Sequence, residues 1–240
     1  MEYIQPDYSN DVMKSIAIVQ TSAVSSNELK SLCSEILPGV KVHQIIDDSL
    51  IAEVNANNGP TIGVRRRLYN YYLQAESLGV DLILNQCSSV GEVADLIKPF
   101  VNIPVIKIDE AMARKAVSMG KKIAMIATVA TTVGPSSRLI LQMAKEAGKE
   151  IELDIHLVKD AMMILIEKGD VETHNRMVIG EVQKAAETND VIVLAQGSMT
   201  VLLPLLKDIE KPVLSSPRLG VCYVKEVLDS IREEKEGTDK

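Results

Sequence analysis

Strands and helices alternate along this chain, and the alternation starts again near its middle. Short apolar runs at Ser15 to Gln20, Asp81 to Leu84, Lys122 to Ala127 and Val191 to Ala195 each end in a polar turn. Stretches of helical periodicity follow the turns. Ile16-Ala17 and Thr21 return as Ile123-Ala124 and Thr128, an offset of 107 from 21 to 128. Asp81-Leu-Ile-Leu returns as Asp190-Val-Ile-Val, an offset of 109 from 81 to 190. Asn102-Ile-Pro104-Val returns as Glu210-Lys-Pro212-Val, an offset of 108 from 104 to 212. Three ordered matches at nearly one offset predict a duplicated lobe. Alternating strands and helices form right-handed βαβ units and parallel sheets. The expected fold is therefore α/β, with two pseudo-symmetric lobes around a cleft. Each lobe is a four-stranded parallel sheet flanked by helices. The first should span 12–110 and the second 111–217, with a helix from 218 to 233 returning to the first. Residues 1–11 and 234–240 read as loose termini.

Local signals fill in this frame. Ser25 and Glu28 have the spacing of a capping box, before a helix that stops near Pro38-Gly39. Asn55 to Gly63 is rich in Asn and Gly and reads as a loop long enough to cover a site. Arg65 to Ser77 reads as a helix closed by Gly79. Later, Ser215-Ser216-Pro217-Arg218 reads as a loop before the last helix.

The richest turn is Asn85-Gln-Cys87-Ser-Ser89, at the carboxyl end of the strand from Asp81. Open α/β sheets bind ligands at such strand ends. A thiol in front of a helix N-terminus feels the positive end of the dipole, which favours its thiolate. Ser88, Ser89 and the free amides beside them are placed to hold a carboxylate. Burial of Cys87 as a small core residue is the competing account. With the duplication, the equivalent of Cys87 is Gln196, so the two should face each other across the cleft.

Composition excludes whole classes of function. Net charge is −7 and the chain has no Trp and one Phe, which argues against a nucleic-acid surface or base-stacking platform. No apolar run is long enough to span a bilayer, and the N-terminus lacks the apolar segment of a signal peptide. Three cysteines, at 33, 87 and 222, are odd in number and widely spaced. That suits reduced thiols in the cytoplasm better than a disulfide frame or zinc site. No P-loop, GxGxxG or ligand-spaced His/Cys cluster occurs, so neither metal nor cofactor is expected.

Four ordered segments carry a family resemblance: DLILNQCSSVGEV at 81–93, ATVATTVGP at 127–135, DVIVLAQGSM at 190–199 and KPVLSSPRLG at 211–220. Across nearly its whole length the chain resembles the aspartate/glutamate/hydantoin racemase superfamily. The resemblance implies a cofactor-independent, two-lobed isomerase of amino acid metabolism. In that family two cysteines, one per lobe, flank the substrate α-carbon; one thiolate removes a proton while the other thiol delivers one. Cys87 stands where the first belongs. Gln196 stands in place of the second, and a carboxamide does not exchange protons near neutral pH. Three ways out follow. A decarboxylase of this superfamily needs only one thiol, to protonate the enediolate left by CO2. A cis-trans isomerase uses a thiolate that attacks carbon. Otherwise another group, with Ser198 or His174 the nearest in sequence, replaces the missing thiol.

The remaining site residues are expected at strand ends: Gln20, Thr21, Asn85, Ser88 and Ser89 from one lobe, and Thr128, Thr131, Thr132, Ser198 and Met199 from the other. Helix capping is the alternative for each hydroxyl. Asp48 reads as a solvated loop acid, and Arg65, Arg66 and Arg67 as mostly surface. His43 and His156 lack neighbours at ligand spacing, and Tyr69, Tyr71 and Tyr72 read as helix packing. Cys33 and Cys222 fall on amphipathic helices. The expected partners are a small carboxylate substrate and further copies of the chain. A binding protein that kept the cleft without catalysis, and a redox sensor built on Cys87, are the competing classes.

Overall fold

The computed structural model describes residues 13–238. Among them are two four-stranded sheets, and every strand pair is parallel. The first contains β1 (Ser15–Gln20), β2 (Lys41–Ile46), β3 (Leu82–Asn85) and β4 (Val105–Lys107), in the order β2-β1-β3-β4. The second contains β5 (Lys122–Ala127), β6 (Glu152–Leu157), β7 (Val191–Leu194) and β8 (Val213–Ser215), in the order β6-β5-β7-β8. Register repeats with order: Ile16 of β1 is opposite Leu82 of β3, and Ile123 of β5 is opposite Val191 of β7. The duplication seen in the sequence is thus a duplication of the fold.

The repeated aspartate has a structural cause. Asp81 Oδ2 accepts a hydrogen bond from the Ser15 amide, 2.9 Å away, at the start of β1. Asp190 Oδ2 accepts from the Lys121 and Lys122 amides, both at 2.9 Å, at the start of β5. Each carboxylate pairs a donor on the neighbouring strand and so fixes the register of the two central strands.

Nine α-helices cover the sheets among the described residues: α1 (Ser26–Ile36), α2 (Ser49–Ala56), α3 (Ile62–Ser77), α4 (Gly91–Ile97), α5 (Glu110–Met119), α6 (Ala130–Glu146), α7 (Lys159–Lys168), α8 (Val171–Thr188) and α9 (Ser216–Thr238). The lobes exchange one helix each. α5 leaves β4 of the first sheet, and its Met112, Ala113, Ala116 and Val117 pack with β5 and α6 on the second. α9 leaves β8 of the second sheet, and its Val221, Val224 and Leu228 pack with Ile16, Leu82 and Ile106 on the first.

Several local expectations change. Residues 49–56 form α2, which buries Leu50 and Val54, so Asn55 lies on a helix and the loop shrinks to 57–61. α3 starts at Ile62, where the Thr61 side chain caps the Val64 amide at 3.1 Å. Ser25 occupies the N-cap of α1 but makes no side-chain cap bond, so the capping box with Glu28 is not formed. Ser215 ends β8 and Ser216 begins α9, leaving no loop there. α9 continues to Thr238 rather than ending at 233. The loose arm expected at 1–11 lies outside the described residues. No helix among the described residues is long and apolar enough to cross a membrane.

Candidate active site

β3 and β7 are the buried strands that each lead into a polar turn. After Asn85 the chain runs through Gln86 and Cys87 into a 3₁₀ turn, Ser88–Val90, with Cys87 at its N-cap. The turn is braced from below. Tyr72, buried on α3, donates its hydroxyl to Asn85 Oδ1 at 3.0 Å, and Asn85 Nδ2 donates to the Cys87 carbonyl at 3.0 Å. Both ends of the Asn85 carboxamide are therefore committed to shaping the turn.

The Cys87 sulfur sits among donors. Burial raises the thiol pKa above its ordinary value. The Thr21 hydroxyl, the Ser89 and Val90 amides and the Ser89 hydroxyl oppose that rise without cancelling it. These amides polarise the sulfur although no side-chain cap bond is formed. The lowered pKa expected from a helix N-terminus is thus not found: desolvation outweighs these donors. A neutral thiol with donors poised around it is a proton donor that becomes a stabilised anion once it gives the proton up.

The second lobe repeats the design with another side chain. Gln196 is the N-cap of a 3₁₀ stretch, Gly197–Leu205, with φ −116° and ψ 136°, against −106° and 118° at Cys87. Thr21 directly follows β1 and bonds Cys87, and its counterpart Thr128 directly follows β5 beside Gln196. Gln196 Oε1 accepts from the Thr128 amide at 3.0 Å and the Thr128 hydroxyl at 3.2 Å. Its amide nitrogen is buried without a partner, and so is that of Gln20.

Each turn packs on the start of a helix from the other lobe. Ser89 Oγ lies 3.3 Å from Thr132 Oγ1 and 3.5 Å from Thr131 Oγ1, at the start of α6. Thr131 also donates to Asn55 Oδ1 at 2.8 Å. On the other side, a Cβ on Gly197 would lie 3.3 Å from Pro217 and 4.0 Å from Ser25 Oγ. The predicted residues thus divide. Cys87, Thr21, Ser89, Thr131 and Thr132 come together, and Thr128 joins Gln196. Ser198 is exposed, whereas Met199 is buried in the core under α8. The Ser88 hydroxyl is engaged by Asp109.

Asp109, which the sequence reading passed over, is 3% exposed with one unpartnered carboxylate oxygen. Burial raises its pKa, against the Ser88 hydroxyl bond and the charge of Lys107. It lines a recess with Ser88, Lys107 and the ion pair Glu92–Arg138. The available signal was its place directly after β4, at a strand end like Cys87.

Other candidates fall elsewhere. His174 is buried near the start of α8, with Nδ1 2.9 Å from Asn175 Oδ1. His156 lies on edge strand β6 between Asp154 and Glu181, which accounts for that side chain; His43 lies on edge strand β2. Arg65 and Arg66 are exposed, and Arg67 pairs with Asp47 and Glu53. Tyr71 donates to Asp47 at 2.7 Å, Tyr69 meets Phe100 edge-on, and Asp48 is exposed at the N-cap of α2. The described residues hold no group of three or more His, Cys, Asp or Glu able to bind a metal ion.

Comparison with known proteins places this geometry in a context. The family model "Asp/Glu/Hydantoin racemase" matches residues 18–224. No curated protein matches the chain by sequence. Among solved structures, a glutamate racemase isoform from Bacillus anthracis superposes with a TM-score of 0.70 at 15% identity, covering 90% of this chain and 82% of that one. An allantoin racemase from Klebsiella pneumoniae gives 0.68 at 16%, covering 90% and 88%. An aspartate racemase homologue from Pyrococcus horikoshii gives 0.65 at 18%, covering 90% and 99%.

Proposed function

The chain belongs to the Asp/Glu/hydantoin racemase family, and from that premise we propose that it moves a proton at the α-carbon of a small carboxylate through one thiol, Cys87. The observation that carries this reading is the pairing of turns. Cys87 and Gln196 hold matching backbone positions at the two strand ends, and only one of them can exchange a proton. Cys87 supplies or removes the proton, with Thr21 and Ser89 stabilising its anion. Gln196, clamped by Thr128, offers an N–H to the enolate that develops on the substrate. Such a fixed donor contributes most when charge builds up in the transition state. No cofactor is part of this reaction. We also read the chain as cytoplasmic, its three thiols being free, with further copies of itself as its macromolecular partner.

The raised thiol pKa favours one variant of the reading. If the substrate loses CO2, the carbanion forms without a base, and a neutral thiol has only to protonate it. Decarboxylation then suits this site better than two-way racemisation. The test is incubation with 2-amino, 2-hydroxy and malonate-type acids in D2O, following α-deuteration, chirality and CO2 release. Deuteration or CO2 release that disappears in Cys87→Ser supports the proposal. Full turnover by Cys87→Ser would refute it, and an unreactive Cys87 beside tight ligand binding would leave a binding protein.

A further inference from the structure

β6 is the outer strand of the second sheet, and its far edge has no strand beside it among the described residues. The Glu152 amide donates to the Lys121 carbonyl at 2.8 Å, and the Val158 amide to the Ala127 carbonyl at 2.7 Å, both on the β5 side. The N–H and C=O of one strand residue share a side, and the side alternates along the strand. The backbone groups of Leu153, Ile155 and Leu157 therefore point to the open edge. Their side chains share the sheet face that α6 covers, where Leu153 packs with Leu139, Ile140 and Met143 of α6. Ile155 is nevertheless 45% exposed and Leu157 39%.

Edge strands that stay single are normally blunted by polar or charged side chains. The matching edge in the first lobe, β2, is blunted in this way. Gln44 faces Ile18 of β1 as Ile155 faces Met125 of β5, and its side-chain amide donates to the Ser26 carbonyl at 3.1 Å. On β6 that central position is a bare isoleucine. α6 extends the apolar face. The Ser137 hydroxyl lies 3.9 Å from the Met125 sulfur, and one turn further on Leu141 is 48% exposed.

The open edge is also complementary to itself. Leu153-Asp-Ile-His-Leu157 can be laid antiparallel on a second copy about a two-fold axis at Ile155. Ile155 then meets Ile155 of the second copy and Leu153 meets its Leu157, all with outward backbone groups, as the bonded pairs of an antiparallel ladder require. Asp154 and His156 fall in the pairs between them, on the other face, so each Asp154 meets a His156. Burial alone would lower the His156 pKa, but its bonds to Glu181 and Asp154 raise it above the ordinary value, which favours a cation opposite that acid. A shift of one residue would lose both the apolar match and the charge match.

We propose that β6 is the dimer interface of this chain: two copies pair their β6 edges antiparallel about a two-fold axis at Ile155 and join their second-lobe sheets. The inference rests on the self-association proposed above and names its surface; it is independent of the chemistry at Cys87.

Sedimentation velocity of the full chain between about 1 and 100 μM should show a dimer in the wild type. Ile155→Lys and Ile155→Glu each set like charges together on the axis and should weaken it by roughly tenfold or more. Mixed in equal amounts, the two variants should associate again, because lysine then meets glutamate. Gln44→Lys, at the matching place on β2, should leave the dimer unchanged. Amide hydrogen exchange of the wild type decides the matter should either charge variant fail to fold. Dilution should speed exchange at Leu153, Ile155 and Leu157 and leave Asp154 and His156, bonded to β5, as they were. A wild type that stays monomeric, or exchange at Ile155 that ignores dilution, would overturn the proposal. A dimer indifferent to Ile155→Lys, or charge variants that stay apart when mixed, would also overturn it, while leaving self-association through another surface.

Discussion

Exchanging the side chain at position 196 tests whether the proposed one-thiol chemistry depends on Gln196. Gln196 has a cysteine-like backbone setting and a neighbour, Thr128, that repeats the Thr21 beside Cys87. Gln196→Cys should therefore create or raise α-proton exchange on an acid that already binds. The same change removes a fixed N–H, so a native reaction that uses it should slow by roughly 100-fold, the effect of about 3 kcal/mol. Deuterium uptake and chiral chromatography on wild type and variant check both effects. Two-way racemisation by the wild type, unaffected in Gln196→Ala, would mean another residue is the second base. The thiol makes its own prediction. Because burial raises the Cys87 pKa, its thiolate fraction at pH 7 lies below that of an ordinary cysteine. Its alkylation by iodoacetamide should keep accelerating through and beyond pH 9, and it alone should abolish activity. Cys33, buried and pushed up to about 11, should stay unreactive over that range. A Cys87 rate that levels off near pH 7 would contradict this assignment. Cys87 and Gln196 could be found in the sequence because a polar turn after an apolar run marks a strand end. The sign of the thiol shift could not, since it depends on how much protein surrounds the sulfur. Asp109 was missed because an acid before a helix reads as a cap, yet it makes no side-chain cap bond.

At the scale of elements, the legible parts were those that pack by a simple period. The central strands β1, β3, β5 and β7 are nearly continuous apolar runs buried on both faces, as parallel sheets require. α2 escaped notice because eight residues beside an Asn/Gly cluster look like a loop, and only Leu50 and Val54 tie it to the core. The crossing of α9 over the first lobe depends on a contact no pattern announces. A Cβ on Gly220 would lie 2.4 Å from the Ile108 carbonyl oxygen, at the end of β4. Gly220→Ala should therefore lift α9 from the sheet and cost about 1–3 kcal/mol, the usual range for overpacking. Gly180 is the control: it sits inside α8 with nothing within 4 Å of its Cβ position. Gly180→Ala should stabilise by about 0.5–1 kcal/mol. Urea denaturation of the two variants beside wild type checks the pair; equal and opposite signs from those given would place α9 elsewhere.

For the whole molecule, the duplicated sheets are tied together by exchanged helices. α5 and α9 each bury aliphatic side chains on the opposite lobe, at about 1.5–3 kcal/mol per fully buried residue. The ties nearer the cleft are polar: Ser89 to Thr132, Thr131 to Asn55, and Arg138 to Glu92. Arg138 and Glu92 are both about half exposed, with side-chain accessibilities of 58% and 47%. Exposed pairs contribute about 0–1 kcal/mol to stability. Their placement suggests a different role. Glu92 lies on α4, directly after the Cys87 turn, and Arg138 lies on α6, whose first residues meet Ser89. The pair thus joins α4 and α6 beside the Asp109 recess, and we expect it to set how closely these helices approach. Arg138→Ala and Glu92→Ala should each leave the urea midpoint within the effect of about 1 kcal/mol. Both should weaken ligand affinity, and the double variant should be no weaker than either single one, because each alone removes the same tie. High salt should reproduce part of the effect in wild type and none in the variants. Additive losses of affinity, or a loss of stability that matches the loss of binding, would show that the pair supports the fold and not the spacing of the cleft.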